Sequence, residues 1–248
     1  TDHLSQPTQG EPRERLWQVR AQKVVLAQGM IERHMVFPGN DKPGVMLAGA
    51  ALTYLHQYGV AVGRRVAVFT ACDTAYQAAF SLKEAGCDVP VIIDYRDSIE
   101  PALEDRASKA GIRVLTGSTV KQTKGKLRIN GIVATQRAGH SEETFDVDAL
   151  IMSAGWTPSL HLYSQSRGKP QWHVESDRFL PGQSPQDCIT IGGCHGTDDL
   201  AEVLASAIKA GGGRSRKHRV EGAVSTAGGM SGDATIEAGH ASTKAFVD

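Results

Sequence analysis

The fold class follows from residues 65–94, RVAVFTACDTAYQAAFSLKEAGCDVPVIID. Two almost entirely apolar segments, residues 65–70 and 89–94, flank a segment that predicts a helix ended by Gly86. Apolar strands without polar alternation are typical of a parallel sheet that is covered on both faces. The stretch therefore predicts a strand–helix–strand unit at the centre of an α/β protein.

The same alternation of strands and helices continues on both sides of this unit. Apolar periodicity predicts further helices over residues 47–58, 101–110 and 197–210. Further strands are predicted over residues 16–19, 23–26, 112–115, 148–154 and 188–191, and the first two are expected to pair with each other. Short segments separated by turn residues predict an antiparallel meander over residues 119–122, 127–129, 132–136 and 145–147.

The composition is that of an ordinary globular protein. The chain has 248 residues, with 27 basic and 27 acidic side chains and 40% hydrophobic residues, which argues against disorder. A formal net charge of zero gives no reason to expect a nucleic acid partner. The apolar runs are only strand-sized and no signal sequence is visible, so we expect no membrane partner. Four cysteines without a disulfide-type spacing fit the cytoplasm, the expected location.

The turn after residues 65–70 lacks the glycines of a dinucleotide-binding fingerprint. In that fingerprint, G-x-G-x-x-G, the glycines let a pyrophosphate approach the helix N-terminus. The three positions are Thr70, Cys72 and Ala75 here, and their side chains would obstruct the pyrophosphate. Asp94 ends the next strand, where a ribose-binding acid belongs, although an Asp in that place is also an ordinary turn former. We therefore predict that this unit holds no nucleotide.

Two other loops that contain glycine are candidate binding sites. One follows a predicted strand and opens a helix, whose free N–H groups suit an anion such as a pyrophosphate; it consists of Gly192, Gly193, Cys194, His195 and Gly196. The other, residues 27–29, forms a glycine turn directly after another predicted strand. Taken singly, each loop is equally compatible with a plain connection between two elements.

Together, three segments resemble the two-dinucleotide-binding-domain flavoproteins of the glutathione reductase class. LAQGMIER, residues 26–33, resembles their A-T-G-A-x-x-R stretch, and SAGWTPS, residues 153–159, resembles their second segment of this kind. ITIGGCHG, residues 189–196, resembles their final G-D motif, with Gly193 or Cys194 in place of the usual Asp. The chain has no C-x-x-C redox pair, which disfavours a disulfide reductase.

A longer resemblance is to the alpha subunits of heterotetrameric sarcosine oxidases. It is carried by FPGNDKPGVMLAGAALTYLHQYGVAVGRRVAVFTACDTAY, residues 37–76, by GWTPSLHLYSQSRGKPQW, residues 155–172, and by the closing KAFVD. The resemblance implies an oxidoreductase acting on the CH–NH bond of a secondary amine. Sarcosine would be oxidised to glycine, its one-carbon unit would pass to tetrahydrofolate, and oxygen would be reduced to hydrogen peroxide.

The same resemblance implies a distribution of cofactors and partners. NAD would bind to this chain, FAD and FMN would bind elsewhere in the complex, and tetrahydrofolate would bind to a C-terminal part outside this sequence. The partners would be beta, gamma and delta subunits, and this segment alone would be inactive. Two alternatives stay open: a non-catalytic scaffold without a cofactor, and a subunit of a related amine- or opine-oxidising flavoprotein complex.

With this resemblance, the expected fold class is α/β, FAD/NAD(P)-binding and glutathione-reductase-like, with an inserted Rossmann-like three-layer unit. Residues 1–60 and 145–210 are assigned to a discontinuous outer dinucleotide-binding domain, and residues 61–144 to the insertion. Residues 211–248 are expected to be a Gly-rich linker toward a further C-terminal domain.

The expected cofactor-binding residues lie in the two glycine loops and at the start of the following helix. They are Ala27, Gly29, Gly192, Gly193, Cys194, His195 and Leu200. Replacing Gly193 with Val is expected to obstruct NAD and to affect folding less. No catalytic residue is predicted, and no metal site is predicted at Cys188, Cys194 and His195, because adjacent residues rarely share one ion.

Overall fold

The computed structural model describes residues 2–3, 5–6, 8–139 and 141–213, so the expected linker lies outside the described residues from residue 214 onward. The chain begins with β1 (Asp2–His3), β2 (Glu14–Arg15), β3 (Val24–Leu26), β4 (Met30–Glu32) and β5 (Val45–Leu47). Next come α1 (Ala48–Tyr58), β6 (Val66–Thr70), α2 (Thr74–Glu84), β7 (Val91–Asp94), α3 (Pro101–Lys109) and β8 (Arg113–Leu115). They are followed by β9 (Ser118–Lys124), β10 (Gly131–Gln136), β11 (Glu142–Phe145), β12 (Ala149–Ser153), β13 (Trp156–Pro158) and α4 (His161–Gln165). The last elements are β14 (Pro170–His173), β15 (Arg178–Pro181), β16 (Cys188–Thr190), a 3₁₀ turn (Gly192–His195) and α5 (Leu200–Ala210).

The centre of the molecule is a parallel five-stranded sheet with the order β5-β12-β6-β7-β8. Alternate side chains of β6 point to opposite faces: Val66 and Val68 pack with the helix layer, whereas Ala67 and Phe69 pack on the other side. Buried residues of α1, α2 and α3 cover the first face, and β9 and β10 of the antiparallel β9-β10-β11 sheet cover the second. The predicted α/β fold with a parallel sheet is therefore confirmed.

Two predicted strands are not formed. Residues 16–19 are irregular, and β3 pairs in parallel with β16 instead of with them. Residues 127–129 belong to the loop between β9 and β10, which is closed by a hydrogen bond from Asn130 N–H to the Lys124 carbonyl oxygen. Leu127 is 85% exposed there, while Ile129 is buried in the core. An apolar residue at a loop tip therefore produced a false strand signal.

The helix predicted from residue 197 begins at Leu200. Gly192–His195 first forms a separate 3₁₀ turn, which Gly196 ends with a φ of 93°. Asp199 then caps the new helix, because its Oδ1 accepts a hydrogen bond from Glu202 N–H at 2.9 Å.

Several two-stranded sheets form outside the five-stranded sheet. β4 and β13 form an antiparallel pair, β14 and β15 form a hairpin, and β3 pairs with β16. β5 and β12 belong to the five-stranded sheet, although the sequence analysis assigned their residues to the outer domain. Domain boundaries near residues 44 and 154 would keep all five strands in one unit. The division into an outer domain and an insertion stays a proposal. No helix within the described ranges combines the length and apolarity needed to cross a bilayer.

Candidate functional site

The turn after β6 is filled by its own side chains. Thr70 Oγ1 accepts a hydrogen bond from the N–H of Cys72 at 3.0 Å and lies 3.1 Å from the Ser153 carbonyl oxygen. Cys72 and Ala75, at the other two fingerprint positions, are fully buried. The turn therefore does not offer a pyrophosphate the close backbone approach that glycines provide. Its lack of a cofactor stays a prediction, which this packing supports.

The acid at the end of β7 is already fully hydrogen-bonded. Asp94 is completely buried, and its carboxylate accepts bonds from Arg96 Nε at 3.0 Å, Arg96 Nη2 at 2.8 Å and the Tyr76 hydroxyl at 2.8 Å. A fourth bond comes from the N–H of Arg96 at 2.9 Å, and Arg96 Nη1 also binds Asp73 at 2.7 Å. No oxygen of Asp94 is left for a ribose hydroxyl, which further supports a unit without a nucleotide.

Within this cluster, the pKa values of Tyr76 and Arg96 are both raised. Burial, followed by the charge of Asp94, raises the pKa of Tyr76 well above its usual range, so the phenol remains a hydrogen-bond donor. Burial opposes the charge of Arg96, but its hydrogen bonds to Asp94 and Asp73 raise its pKa overall. The cluster is thus an ion-pair network at the carboxyl ends of β6 and β7 that encloses Asp94.

The two glycine loops lie side by side at the carboxyl ends of β3 and β16. The strands are parallel, and the N–H of Ile191 donates to the Leu26 carbonyl oxygen at 2.9 Å. The loop after β3 is also held by Ser159, whose N–H donates to the Gly29 carbonyl oxygen at 3.1 Å. The carboxyl ends of adjacent parallel strands are where α/β folds bind ligands, so this juxtaposition is the candidate functional site.

Gly29 presents the open face of this site. Its φ is 72°, and a Cβ built on it would meet no atom within 4 Å. Gly192 also has a positive φ, 63°, but its Cβ would lie 3.2 Å from Val203 of α5. Of these two glycines, Gly29 has backbone that a ligand could approach closely.

Gly193 and Cys194 face the protein interior. A Cβ at Gly193 would lie 2.6 Å from Met30 Cγ and 3.2 Å from the carbonyl carbon of Gly29. Cys194 is fully buried, and its thiol donates to the Leu26 carbonyl oxygen at 3.0 Å. The expectation that Gly193→Val weakens NAD binding stays a prediction, whereas this packing argues against the expectation that folding would be largely spared.

The remaining predicted site residues line the rim of the loops. Ala27 is exposed, and Leu200, the first residue of α5, is 45% exposed. His195 Nδ1 lies 2.8 Å from Thr190 Oγ1, which ties the imidazole to the end of β16. A cofactor role for the seven predicted residues stays a prediction.

Two polar atoms that the sequence analysis did not single out lie in the same region. Gln28 Oε1 and the Tyr163 hydroxyl are buried and have no hydrogen-bond partner among the described residues. Gln28 lies in the turn between Ala27 and Gly29, and Tyr163 packs with Leu26 and Cys194. The sequence could have indicated Gln28 as a candidate, because it is a polar residue close to the end of an apolar strand. The burial of Tyr163 could not be predicted in this way, because it depends on tertiary packing.

No group of three His, Cys, Asp or Glu side chains that could hold a metal ion occurs in the part of the chain that the structure describes. The Cys194 thiol donates to carbonyl oxygens, and the imidazole of His195 contacts a threonine hydroxyl. The lack of a metal at Cys188, Cys194 and His195 stays a prediction.

Glu32, the last residue of β4, links this strand to the elements of the five-stranded sheet. Its Oε2 accepts a hydrogen bond from Gly49 N–H at 2.8 Å in the first turn of α1, which has no side-chain cap of its own. Burial raises the pKa of Glu32, and the hydrogen bonds from Ser153 and Gly49 oppose this change. The carboxylate is therefore partly desolvated at a helix N-terminus.

Glu32 is expected to make stability depend on pH. A carboxyl whose pKa is higher in the folded state stabilises the fold fully below its unfolded pKa, near 4.5, and loses that contribution as the pH rises through the folded value. Between about pH 4 and pH 7, the wild type should lose stability relative to Glu32→Gln. Denaturant unfolding across this range measures the difference, with Glu104→Gln on α3 as the exposed control. Parallel profiles for the wild type and Glu32→Gln would contradict the prediction.

Comparisons with known proteins agree with this architecture. Residues 6–177 match the family model for pyridine nucleotide-disulphide oxidoreductase. Sarcosine oxidase subunit alpha of Rhizobium meliloti (strain 1021) is 43% identical over 202 residues, which cover 82% of this chain and 20% of that protein. The protein of the same name from Corynebacterium sp. (strain P-1) is 36% identical over 218 residues, covering 85% and 22%. The crystal structure of T. acidophilum thioredoxin reductase superimposes with a TM-score of 0.59 at 19% identity, covering 77% of this chain and 62% of that one.

The chain thus spans about a fifth of the length of the curated relatives it matches. The resemblance to sarcosine oxidase alpha subunits is confirmed by the two relatives, and the fold class is confirmed by the family match together with the parallel sheet. The chain belongs to the pyridine nucleotide-disulphide oxidoreductase family.

Proposed function

We propose that this chain is the NAD-binding portion of the alpha subunit of a sarcosine oxidase. The family to which it belongs implies binding of FAD or NAD(P), and its relatives carry the name of this subunit. The observation that carries the proposal is the pairing of two glycine loops at the carboxyl ends of β3 and β16, with an open backbone at Gly29.

The residues of this region fit a dinucleotide in part. The left-handed, uncovered Gly29 permits close approach of a phosphate or ribose, and Gln28 Oε1 supplies a buried acceptor without a partner among the described residues. Gly193 and Cys194 would support the turn from behind rather than touch the ligand. Bound NAD would supply a redox-active nicotinamide, and this chain's residues would hold and orient it without making or breaking bonds.

The wider reaction belongs to the whole complex. It would oxidise sarcosine to glycine, pass the one-carbon unit to tetrahydrofolate and the electrons to oxygen, and use FAD and FMN held outside this chain. Beta, gamma and delta subunits in the cytoplasm would complete the assembly. A scaffold without a cofactor is the second candidate, favoured by the hydrogen bonds that already occupy the carboxylate of Asp94.

Gly29→Asn is expected to weaken NAD binding by the full-length subunit at least about tenfold. Asn tolerates a positive φ, so the backbone should persist while the new side chain enters the open face of the site. Gly59→Asn is a matched control, because Gly59 has a φ of 64° and an equally free Cβ direction at the end of α1. Calorimetric titration and thermal melting of both variants provide the measurement.

The two candidate functions predict different titrations. NAD binding by the wild type and by Gly59→Asn, together with loss in Gly29→Asn at similar melting temperatures, supports the NAD site. Equal affinities in all three proteins would remove Gly29 from the site. A wild-type subunit that binds no NAD at millimolar concentration would leave the scaffold as the function.

A further inference from the structure

Gln28 carries a buried hydrogen-bond acceptor at the proposed NAD site. The residue lies in the turn after β3, and its Oε1 is buried without a hydrogen-bond partner among the described residues. The next residue, Gly29, has a φ of 72° and an open face, because a Cβ built on it would meet no atom within 4 Å. A buried acceptor is costly to a fold unless a donor pairs with it. The turn therefore joins an acceptor that needs a donor to backbone that a ligand can approach.

The chemistry of this acceptor limits which part of a dinucleotide it can bind. An amide oxygen accepts hydrogen bonds and donates none. An ionised pyrophosphate also has only acceptor oxygens, so it cannot pair with Gln28 Oε1. The donors of NAD are the hydroxyls of its two ribose rings and the amino groups of the adenine and of the carboxamide. The hydroxyls outnumber the amino groups and stand on tetrahedral carbons, so a ribose can present one to the turn while its ring rests on the open face of Gly29.

The charges beside the second glycine loop favour the same part of the ligand. Asp199, which directly precedes α5, accepts a hydrogen bond from Glu202 N–H at 2.9 Å, so the chain's own carboxylate caps this helix. Asp198 accepts hydrogen bonds from Arg178 at 3.1 and 2.8 Å, and Arg178 Nη2 also donates to the Gly196 carbonyl oxygen at 2.9 Å. Carboxylates already engage this helix N-terminus and this cation. They disfavour a pyrophosphate here and leave a neutral ribose as the better fit.

We propose that Gln28 is a specificity-determining residue of the dinucleotide site, whose Oε1 accepts a hydrogen bond from a ribose hydroxyl of NAD. The contact pairs an acceptor that folding leaves buried, and it selects a ligand that offers a donor at this point. A ligand without that hydroxyl leaves the acceptor unpaired, and a phosphate on the same carbon places negative charge against the amide oxygen. The proposal rests on the proposed function, in which this chain binds NAD.

The test measures the coupling between Gln28 and single hydroxyls of the ligand. The full-length subunit is titrated calorimetrically with NAD and with NAD analogues that each lack one hydroxyl of the adenosine ribose or of the nicotinamide ribose. In the wild type, loss of the recognised hydroxyl should weaken binding by about fivefold to tenfold. Gln28→Met removes the acceptor at similar side-chain length, and it should bind NAD and that analogue with nearly equal affinity. Gln57→Met, at an exposed position of α1, is the matched control and should behave like the wild type.

The failures are distinguishable. If every analogue binds the wild type as tightly as NAD, or loses as much affinity in Gln28→Met as in the wild type, the ribose contact is wrong and the proposed function stands. Coupling of Gln28 to an analogue with hypoxanthine in place of adenine, and to no hydroxyl, would equally overturn it. Gln28→Ala, which also lacks the acceptor, repeats the titrations if methionine lowers the melting temperature. A wild-type subunit that binds no NAD at millimolar concentration would overturn the proposed function and the ribose contact together.

Discussion

Replacing Arg96 with methionine is expected to lower the free energy of unfolding by about 3–5 kcal/mol. The substitution removes two side-chain hydrogen bonds to Asp94, at 2.8 and 3.0 Å, and one to Asp73. Asp94 would remain fully buried with only the Tyr76 hydroxyl and one backbone N–H as partners. A buried carboxylate without a counterion is among the most costly defects in a protein interior.

The matched control replaces both charged partners. Asp94→Asn combined with Arg96→Met should recover part of the lost stability, because no buried charge is then left unpaired. Denaturant unfolding of the two single variants and the double variant gives the coupling between the residues. Additive losses would show that Asp94 and Arg96 contribute independently and do not act as a coupled ion pair.

Replacing Gly193 with valine is expected to lower the free energy of unfolding by about 1–3 kcal/mol through overpacking. The new Cβ would lie 2.6 Å from Met30 Cγ and would press on the Gly29 backbone. Because the displaced turn carries the open face of the proposed site, NAD affinity should fall together with stability. Thermal melting and calorimetric titration of the full-length subunit measure the two effects.

Two further variants separate packing from a direct contact with the ligand. Met30→Ala added to Gly193→Val should restore part of the stability, because it removes the side chain nearest to the new Cβ. Gly211→Val, whose Cβ would meet no described atom closer than 3.6 Å, should leave stability nearly unchanged. Weakened NAD binding by Gly193→Val with an unchanged melting temperature would instead mean that valine blocks the ligand directly.

Predictions from sequence were most accurate where local composition matches the environment of an element. β6, β7 and β12 are apolar on both faces, which indicates a strand buried between two layers, and they form the centre of the parallel sheet. The helix predicted over residues 47–58 and the one predicted from Pro101 agree with α1 and α3 to within a residue. Motif resemblance identified the family for a similar reason, because its turns require particular residues at particular spacings.

The same local reasoning failed where a residue's role depends on a distant neighbour. A strand at residues 16–19 was expected to pair with the strand at residues 23–26. Instead, β3 pairs with β16, which lies near the other end of the described chain. Valine at position 193 was expected to affect folding little, whereas its Cβ would lie 2.6 Å from Met30 Cγ.

Local composition and motif spacing were sufficient to establish the α/β class, the family, the buried strands and the lack of a glycine fingerprint after β6. The folded arrangement was needed to show that Asp94 is enclosed by Arg96 and Tyr76, and that the Cys194 thiol donates to the Leu26 carbonyl oxygen across a separation of 168 residues. The physical reason is that strand burial and turn conformation are set by neighbouring residues, whereas hydrogen-bond saturation and steric access are set by atoms that only folding brings together.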